Sequence, residues 1–466
     1  MLTLTLPPNP QSPGEIMRWE ETRRRRRLLD GTWRTDLERR LVDHLGTTRR
    51  QAWGALALSI NPFRNICREL AVLYDAPPEV RHADEAAAGI VAEVLRLSSA
   101  WGLMQRVQAY AIGCREYLVR ADLDPKGRVC LRPVAPDLVE AEPKDGEPDR
   151  IGSMREWRLR RTPTGDKAWF ADALDMTAPE PIYAILDAKG NDVSAIFGVD
   201  GWPSAWRYAD GAPALPYVVY HAQRTGDRLW EPYEGIELVE ASLDLAVLHM
   251  MMVHTFRDAS WPQRWAVDVE VEGGTLHDGT TGPRTEVVTD PASLLMLRRR
   301  ADTESQPMIG QWQPGGDVAT MEEVISNLVA RVAQDAGVPP SDVQRLGGTA
   351  RSGVAISLTN EGKRAAQRRY ASTFRTSDEE LAALVAVLVS RSSGASLPES
   401  GYEVIYREVP LSPEELRARR EHALTMLEAG LMSRAEAYRE THPGISEAEA
   451  ERAIARLAVP EPGAGT

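Results

Sequence analysis

Residues 353–391 read GVAISLTNEGKRAAQRRYASTFRTSDEELAALVAVLVSR. The stretch contains no proline and a single internal glycine, Gly362. At 1.5 Å per residue, an unbroken helix of that length spans about 58 Å, several times the usual helix of about 11 residues. A spine element is predicted, with Gly362 as the place where it would bend.

Upstream lies a polar, glycine-containing loop, Ser341 to Ser352. Before it, a helix opens with the capping-box pattern Thr320-x-x-Glu323 and stops at Gly337, with Pro339-Pro340 beyond. Another apolar helix is expected from Gly235 to about Asp258, where Ile236, Leu238, Val239, Leu243, Leu245, Val247, Leu248, Met251 and Met252 fall on overlapping faces. These two helices bracket a compact insertion that reads as irregular to about residue 316, with turn signals at Gly273-Gly274, Asp278-Gly279 and Pro314-Gly315-Gly316. Downstream come a strand, Tyr402 to Val409, and three helices opened by Ser412-Pro-Glu-Glu, Ser433-Arg-Ala-Glu and Ser446-Glu-Ala-Glu. The tail from Pro460 to Thr466 has the composition of a disordered end.

The first part of the chain mixes helices with short strands, which predicts the α+β class. Helical spacing of apolar residues marks 50–75 (Trp53, Leu56, Leu58, Ile60, Phe63, Ile66, Leu70, Leu73) and 86–112, with Pro77-Pro78 between them. A hairpin follows: Glu116 to Arg120 alternates, Asp124-Pro-Lys-Gly supplies a turn, and Arg128 to Val134 alternates again. More strands are expected to about residue 220. The run Arg23 to Arg27 reads as a solvated helix face, with a phosphate contact as the alternative.

Composition bounds the function. The chain has 466 residues, 43% of them hydrophobic, which is enough for a sizeable core in about two to four domains. Its 55 basic and 68 acidic residues give a formal charge of −13, the wrong sign for a protein that grips nucleic acid over its whole surface. Only five of the cations are lysines, an arginine excess that a GC-rich genome explains. Three cysteines (Cys67, Cys114, Cys130) without C-x-x-C spacing make no zinc site by themselves and suggest a reduced, intracellular chain. No signal peptide is expected at MLTLTLPPNP, and no run of about 18 uninterrupted apolar residues suggests a membrane span.

Motifs for chemistry are weak. Ser357-Leu-Thr-Asn-Glu-Gly-Lys-Arg lacks the first glycine and the final hydroxyl residue of a phosphate-binding loop, and it falls inside the long helix. The stretch Asp122-Leu-Asp-Pro-Lys-Gly starts like a calcium loop, but Lys126 occupies a ligand position and Pro133 stands where the bidentate glutamate belongs, so a hairpin turn is expected. His249 and His254 are five apart and point to different helix faces, and the neighbouring run of methionines Met250 to Met252 suits core or subunit packing. No G-x-S-x-G or H-E-x-x-H occurs. The expectation is a non-enzymatic protein without cofactor or metal.

The order of elements resembles that of the portal proteins of tailed double-stranded DNA bacteriophages. The matching pieces are Tyr233-Glu-Gly-Ile-Glu-Leu, Ala333-Gln-Asp-Ala-Gly-Val-Pro-Pro, Arg351-Ser-Gly-Val-Ala-Ile, Glu428-Ala-Gly-Leu-Met-Ser-Arg-Ala-Glu-Ala-Tyr-Arg-Glu and His442-Pro-Gly-Ile-Ser-Glu-Ala-Glu-Ala. Upstream, Asn61-Pro-Phe-Arg-Asn-Ile-Cys-Arg-Glu-Leu-Ala-Val-Leu-Tyr and Ala214-Leu-Pro-Tyr-Val-Val-Tyr-His are similar to the family's wing region. The resemblance covers roughly residues 50–457, and its weight lies in order and spacing.

The resemblance implies a portal-type protomer: an N-terminal wing (1–234), a stem helix (235–258), a clip (259–316), a second stem helix (317–337), a tunnel loop (338–352), the long helix (353–391), a wing strand (392–411) and a helical crown with its tail (412–466). It implies a homo-oligomeric ring, typically of 12 subunits, at one capsid vertex of the virion and assembled in the bacterial host cytoplasm. Its partners would be the major capsid protein, the terminase large subunit, a head-tail adaptor and double-stranded DNA in transit, with no membrane. The tunnel-loop residues Arg345, Gly347, Gly348, Thr349 and Arg351 would face DNA, and Arg298, Arg299 and Arg300 would meet partners at the clip. Intersubunit salt bridging is the alternative role for Arg345 and Arg351.

A sliding channel must not hold phosphates tightly. Twelve copies at −13 carry −156, which suits weak contact with DNA. Two other classes remain open: a hydrolytic or nucleotide-using component of a packaging or defence system, and a scaffold that binds protein partners through 412–457.

Overall fold

The computed structural model describes residues 7–8, 10, 13–47, 60–162, 165–223, 226–231, 236–260, 263–267, 269–271, 297–299, 308–312, 317–339, 353–409, 413–442 and 447–457. They form a mixed helix-and-sheet chain that divides into two units. One comprises Met1–Trp33, Pro62–Val239 and Val332–Thr466, and the other Arg34–Asn61 and Glu240–Arg331. Residues 34–61 thus group with the central insertion, not with the N-terminal region.

The first unit is organised by the long helix α8, Gly353–Ser393, whose 41 residues rise about 61 Å. Ala366, Tyr370, Phe374, Ser377, Asp378, Leu381 and Val385 are buried at helical spacing, and from Leu384 to Val389 every residue is buried. A helix apolar all round belongs in a core. Against it pack Val80, Ala87, Val91, Leu95, Ala100, Leu397 and Tyr402, drawn from both sides of the chain. The predicted bend at Gly362 is replaced by a continuing helix. A Cβ there would lie 2.9 Å from Cδ of Pro339, so the glycine leaves room for the proline.

The predicted helical block 86–112 is two helices, α4 (Glu85–Leu97) and α5 (Ala100–Cys114), bent by 72°. Two serines cause the break: the Ser98 hydroxyl donates to Leu95 O, and Ser99 takes a positive φ of 55°. Asp84 caps α4 by accepting from the backbone N–H groups of Ala86 and Ala87. Just before it, β1 (Glu79–Arg81) pairs antiparallel with β13 (Glu403–Ile405), a short closure of distant segments.

Two antiparallel sheets complete this unit's core. One has the order β3-β2-β8, from β2 (Glu116–Leu123), β3 (Val129–Val134) and β8 (Tyr217–His221). The other is the meander β4-β5-β6-β7, from β4 (Val139–Lys144), β5 (Glu147–Arg161), β6 (Lys167–Asp175) and β7 (Ile182–Leu186). The turn between β2 and β3 is the expected hairpin: Asp124 Oδ1 accepts from the N–H groups of Lys126 and Arg128, and Gly127 has a φ of 75°.

The N-terminal helix α1 (Pro13–Asp30) corrects the reading of its arginine run. Arg25 is only 2% exposed, donating to Gly113 O at 3.0 Å and to Glu21 Oε1 at 2.8 Å. Arg26 donates to buried Asp137 at 2.8 Å, and Arg23 stands 3.4 Å from the same carboxylate and over the Trp19 ring. These cations lock α1 onto the unit, so they form neither a solvated face nor a phosphate contact. Helix α3 (Pro62–Leu70) and α5 approach α1 so closely that a Cβ on Gly113 would meet Leu29 Cδ1 at 2.8 Å.

At the C-terminus, α9 (Pro413–Glu428), α10 (Arg434–Thr441) and α11 (Glu447–Leu457) pack in succession. The predicted capping box at Ser433 forms, with its hydroxyl accepting from Glu436 N and the Glu436 carboxylate accepting from Ser433 N.

The second unit holds α2 (Arg34–Leu45) and most of α6 (Ile236–Ser260) and α7 (Val318–Asp335). Arg40 ties α2 to α6, donating to Asp244 at 2.7 Å and lying 3.3 Å from Glu240. The cap of α7 is Asp317 and not Thr320: its carboxylate accepts from Ala319 N, Thr320 N and the Thr320 hydroxyl. The predicted stop at Gly337 holds, with a φ of 76° and Val338 N donating back to Ala333 O. Residues 237–256 of α6 have the length and hydropathy of a membrane span, and 44% of that window is buried within the protein.

Candidate functional site

Within the insertion between α6 and α7 the described residues form four short strands, while the turn signals at Gly273-Gly274, Asp278-Gly279 and Pro314-Gly315-Gly316 lie outside the described residues. Leaving α6, β9 (Gln263–Val267) pairs antiparallel with β12 (Met308–Trp312), the strand that precedes α7. Nested within that pair, β10 (Val269–Val271) pairs antiparallel with β11 (Leu297–Arg299). Among the described residues these are two nested two-stranded antiparallel pairs, called here the ribbon. Aromatic and β-branched residues on these strands (Trp265, Val267, Val269, Val271, Trp312) suit this geometry.

Two predicted partner residues fall on this ribbon. Arg298 stands opposite Glu270 in the β10–β11 register and Arg299 opposite Val269. Arg300 lies outside the described residues, as do all five tunnel-loop positions, Arg345, Gly347, Gly348, Thr349 and Arg351. The structure therefore places two of the three predicted arginines, Arg298 and Arg299, on one strand.

The weak chemical motifs resolve into structural roles. Residues 357–364, the closest approach to a phosphate-binding loop, are helical within α8 and form no strand-loop-helix cradle. Among the described residues, no three His, Cys, Asp or Glu side chains cluster as a metal-binding group. The three cysteines are free, and burial pushes the Cys67 thiol up to about 12.

Three buried polar clusters in the first unit escaped the sequence reading. Around Asp378, Tyr74 and Tyr406 donate to Oδ2 at 2.8 and 2.6 Å, and Tyr220 donates to Oδ1 at 2.9 Å. Burial pushes the Asp378 carboxyl up to about 7, against the opposing pull of the three hydroxyls. A carboxylate four residues after Phe374 on the buried stripe of α8 was the one available signal.

Between the two sheets, Arg120 donates to Glu156 at 2.9 Å, Asp172 at 2.6 Å, Tyr217 at 2.7 Å and Asp122 at 3.2 Å. Arg158 and Arg160 also reach Asp172. Burial alone would raise the Asp172 carboxyl, but Arg120, Arg160 and Arg158 together hold it below the usual carboxylate range. In the third cluster, Glu116 is fully buried, accepts from Glu231 N at 3.3 Å and has Oε1 without a hydrogen bond. Burial pushes its carboxyl up to about 8, which the Arg18 charge opposes and Glu231 reinforces.

Of two grooves in the first unit, Tyr217 of the Arg120 cluster lines the smaller. The larger groove, about 560 Å³, crosses the four-stranded sheet beside Glu15, Glu140, Glu142 and Arg155. A smaller one, about 290 Å³, lies between β8, α8 and the strand end at Arg150.

No family model and no curated protein matches the chain. It is similar to a chain of the neck of the native gene transfer agent particle computed with C12 symmetry, at 14% identity over 83% of this chain and 91% of that one, with a TM-score of 0.43. It is also similar to a chain of the virion of the native gene transfer agent particle, at 15% identity over 81% and 88%, with a TM-score of 0.41.

Proposed function

We propose that this chain is a portal-type structural protein: a ring-forming, non-enzymatic conduit for double-stranded DNA at one vertex of a phage or phage-like particle. The observation that carries the proposal is the element order, which combines with the sequence resemblance. Two helices bracket the ribbon, a 41-residue helix follows, and three further helices come after it, of which α10 carries a capping box. In this reading α6 and α7 are stem helices, the ribbon β9–β12 is the clip, α8 is the spine and α9–α11 are the crown. The ribbon would meet a packaging motor and then a head-tail adaptor, and the wing would meet the capsid shell.

Exposed apolar residues support assembly. Met321 and Val324 on α7 are 37% and 49% exposed, and Leu248 and Phe256 on α6 are 39% and 60% exposed. Neighbouring protomers would cover such side chains. Sedimentation of the purified full chain tests the proposal. A large closed oligomer is expected, and a chain that stays monomeric both in solution and in assembled particles contradicts it. A nucleotide-using role loses its one candidate motif to the interior of α8.

A further inference from the structure

Helix α1 covers only part of one face of the sheet β4-β5-β6-β7. Register places Trp157, Ala171 and Leu186 on that face, where Trp19 of α1 packs with them. The next two rows of the same face are Glu140, Arg155 and Ala173, then Glu142, Ser153, Asp175 and Ile182. Both rows line the groove of about 560 Å³, and Glu15 of α1 borders it. Rows two residues apart along a strand are separated by about 7 Å, so with their side chains the strip matches the width of one helix, about 10–12 Å. Its floor is small at Ser153 and Ala173, and Ile182 at its edge is 52% exposed.

The charge of the groove is one-sided. Glu142 is exposed and makes no hydrogen bond or ion pair among the described residues. Glu15 is held by Arg18, Glu140 accepts from the Trp157 indole N–H and Asp175 from Thr177, and each carboxylate keeps further acceptor sites. Against these four acids stand two arginines, exposed Arg155 and Arg18, leaving a net charge of −2. Lys144, the next cation on β4, pairs with Glu147.

We propose that this groove docks a cationic amphipathic helix of a partner protein, laid beside α1 to complete the helical layer over the sheet. The inference does not rest on the portal reading. Strands β5 and β6 under the groove are paired on both sides, so an extended peptide finds no backbone groups to bond there. A helix satisfies its own backbone and buries an apolar stripe against Ser153, Ala173 and Ile182. Lysine or arginine stems cover the apolar floor while their heads reach Glu142, Glu140 and Asp175. The same negative charge turns phosphates away.

The test uses the full chain as purified and a fluorescein-labelled peptide of about 14 residues, roughly four helical turns, made of Lys, Leu and Ala with the leucines at helical spacing. Its anisotropy is compared with that of a scrambled peptide of the same composition and of one with Glu in place of Lys. Binding of the first peptide alone is expected. Glu142→Lys is expected to weaken it about tenfold, and Arg155→Gln, which removes the groove's exposed cation, to tighten it about threefold. Ser153→Trp fills the floor and is expected to abolish binding, with circular dichroism reporting an intact fold. Arg155→Gln alters an exposed side chain and keeps the test decisive where Ser153→Trp unfolds. No binding of the first peptide, or equal affinity of wild type, Glu142→Lys and Arg155→Gln, overturns the proposal. So does equal binding of the scrambled peptide, which marks general attraction to an acidic chain. A change of oligomeric state in Ser153→Trp overturns it too, because the groove is then a contact between copies.

Discussion

The Tyr220 hydroxyl donates to Asp378 Oδ1 at 2.9 Å across 158 positions of sequence, and it thereby fastens β8 to the middle of α8. Tyr74 and Tyr406 complete the shell from two other segments. One buried carboxyl thus organises four pieces of the unit. Losing one donor leaves a buried oxygen short of a partner, which costs about 1–3 kcal/mol. Tyr220→Phe is expected to lower the chemical-denaturation midpoint accordingly with an unchanged m-value, and Tyr406→Phe to do the same.

Two buried acids set the response to pH. Asp378 and Glu116 have carboxyls pushed up to about 7 and about 8, so the fold favours their neutral forms. Their contribution is fully present below the ordinary carboxylate range near 4 and is lost as pH rises through 7 and 8. For Glu116 the loss is on the order of 5 kcal/mol. Unfolding measured from pH 5 to pH 9 is expected to show falling stability, and Glu116→Gln to flatten the upper part of that curve. A wild-type curve that rises over this range contradicts the assignment.

Arg120 joins the two sheets through a charge network that includes fully buried Asp172. Removing one partner of a buried ion pair strands the other, at about 3–5 kcal/mol. Arg120→Met is expected to destabilise by that order. The same arginine also holds Asp172 ionised, so the Asp172 carboxyl moves up in the variant, and its protonation in acid relieves the stranded charge and is expected to shrink the variant's deficit. Denaturation at neutral pH and at about pH 4 separates the two effects.

Gly362 has almost no space for a side chain beside Pro339. In an open helix, glycine to alanine gains about 1 kcal/mol. Here the added Cβ must displace a proline ring, so Gly362→Ala is expected to destabilise by about 1–3 kcal/mol. Pairing it with Pro339→Ala should recover part of that loss, and thermal unfolding of the two single variants and the double variant measures the coupling.

The long helix, the helix stop at Gly337, the hairpin at Asp124 and the capping box at Ser433 were legible because each is dictated by local chemistry: spacing, a positive φ or a side-chain cap. What sequence did not reveal depends on distant partners. The Arg23–Arg27 run reads as solvated until Asp137 and the Gly113 carbonyl come to meet it. The ribbon pairs β9 with β12 across 40 positions of sequence, and no local signal fixes that register. Asp378 sits in a helical stripe and acquires its meaning only from tyrosines at 74, 220 and 406. The partner residues predicted at the ribbon rest on position alone, and the structure adds that Arg298 stands opposite Glu270.

Electron microscopy of the purified full chain in negative stain tests the central claim most directly. The portal reading predicts rings with an axial hole, seen end-on as closed rotationally symmetric particles. Monodisperse single protomers, or open filaments without a closed ring, contradict it.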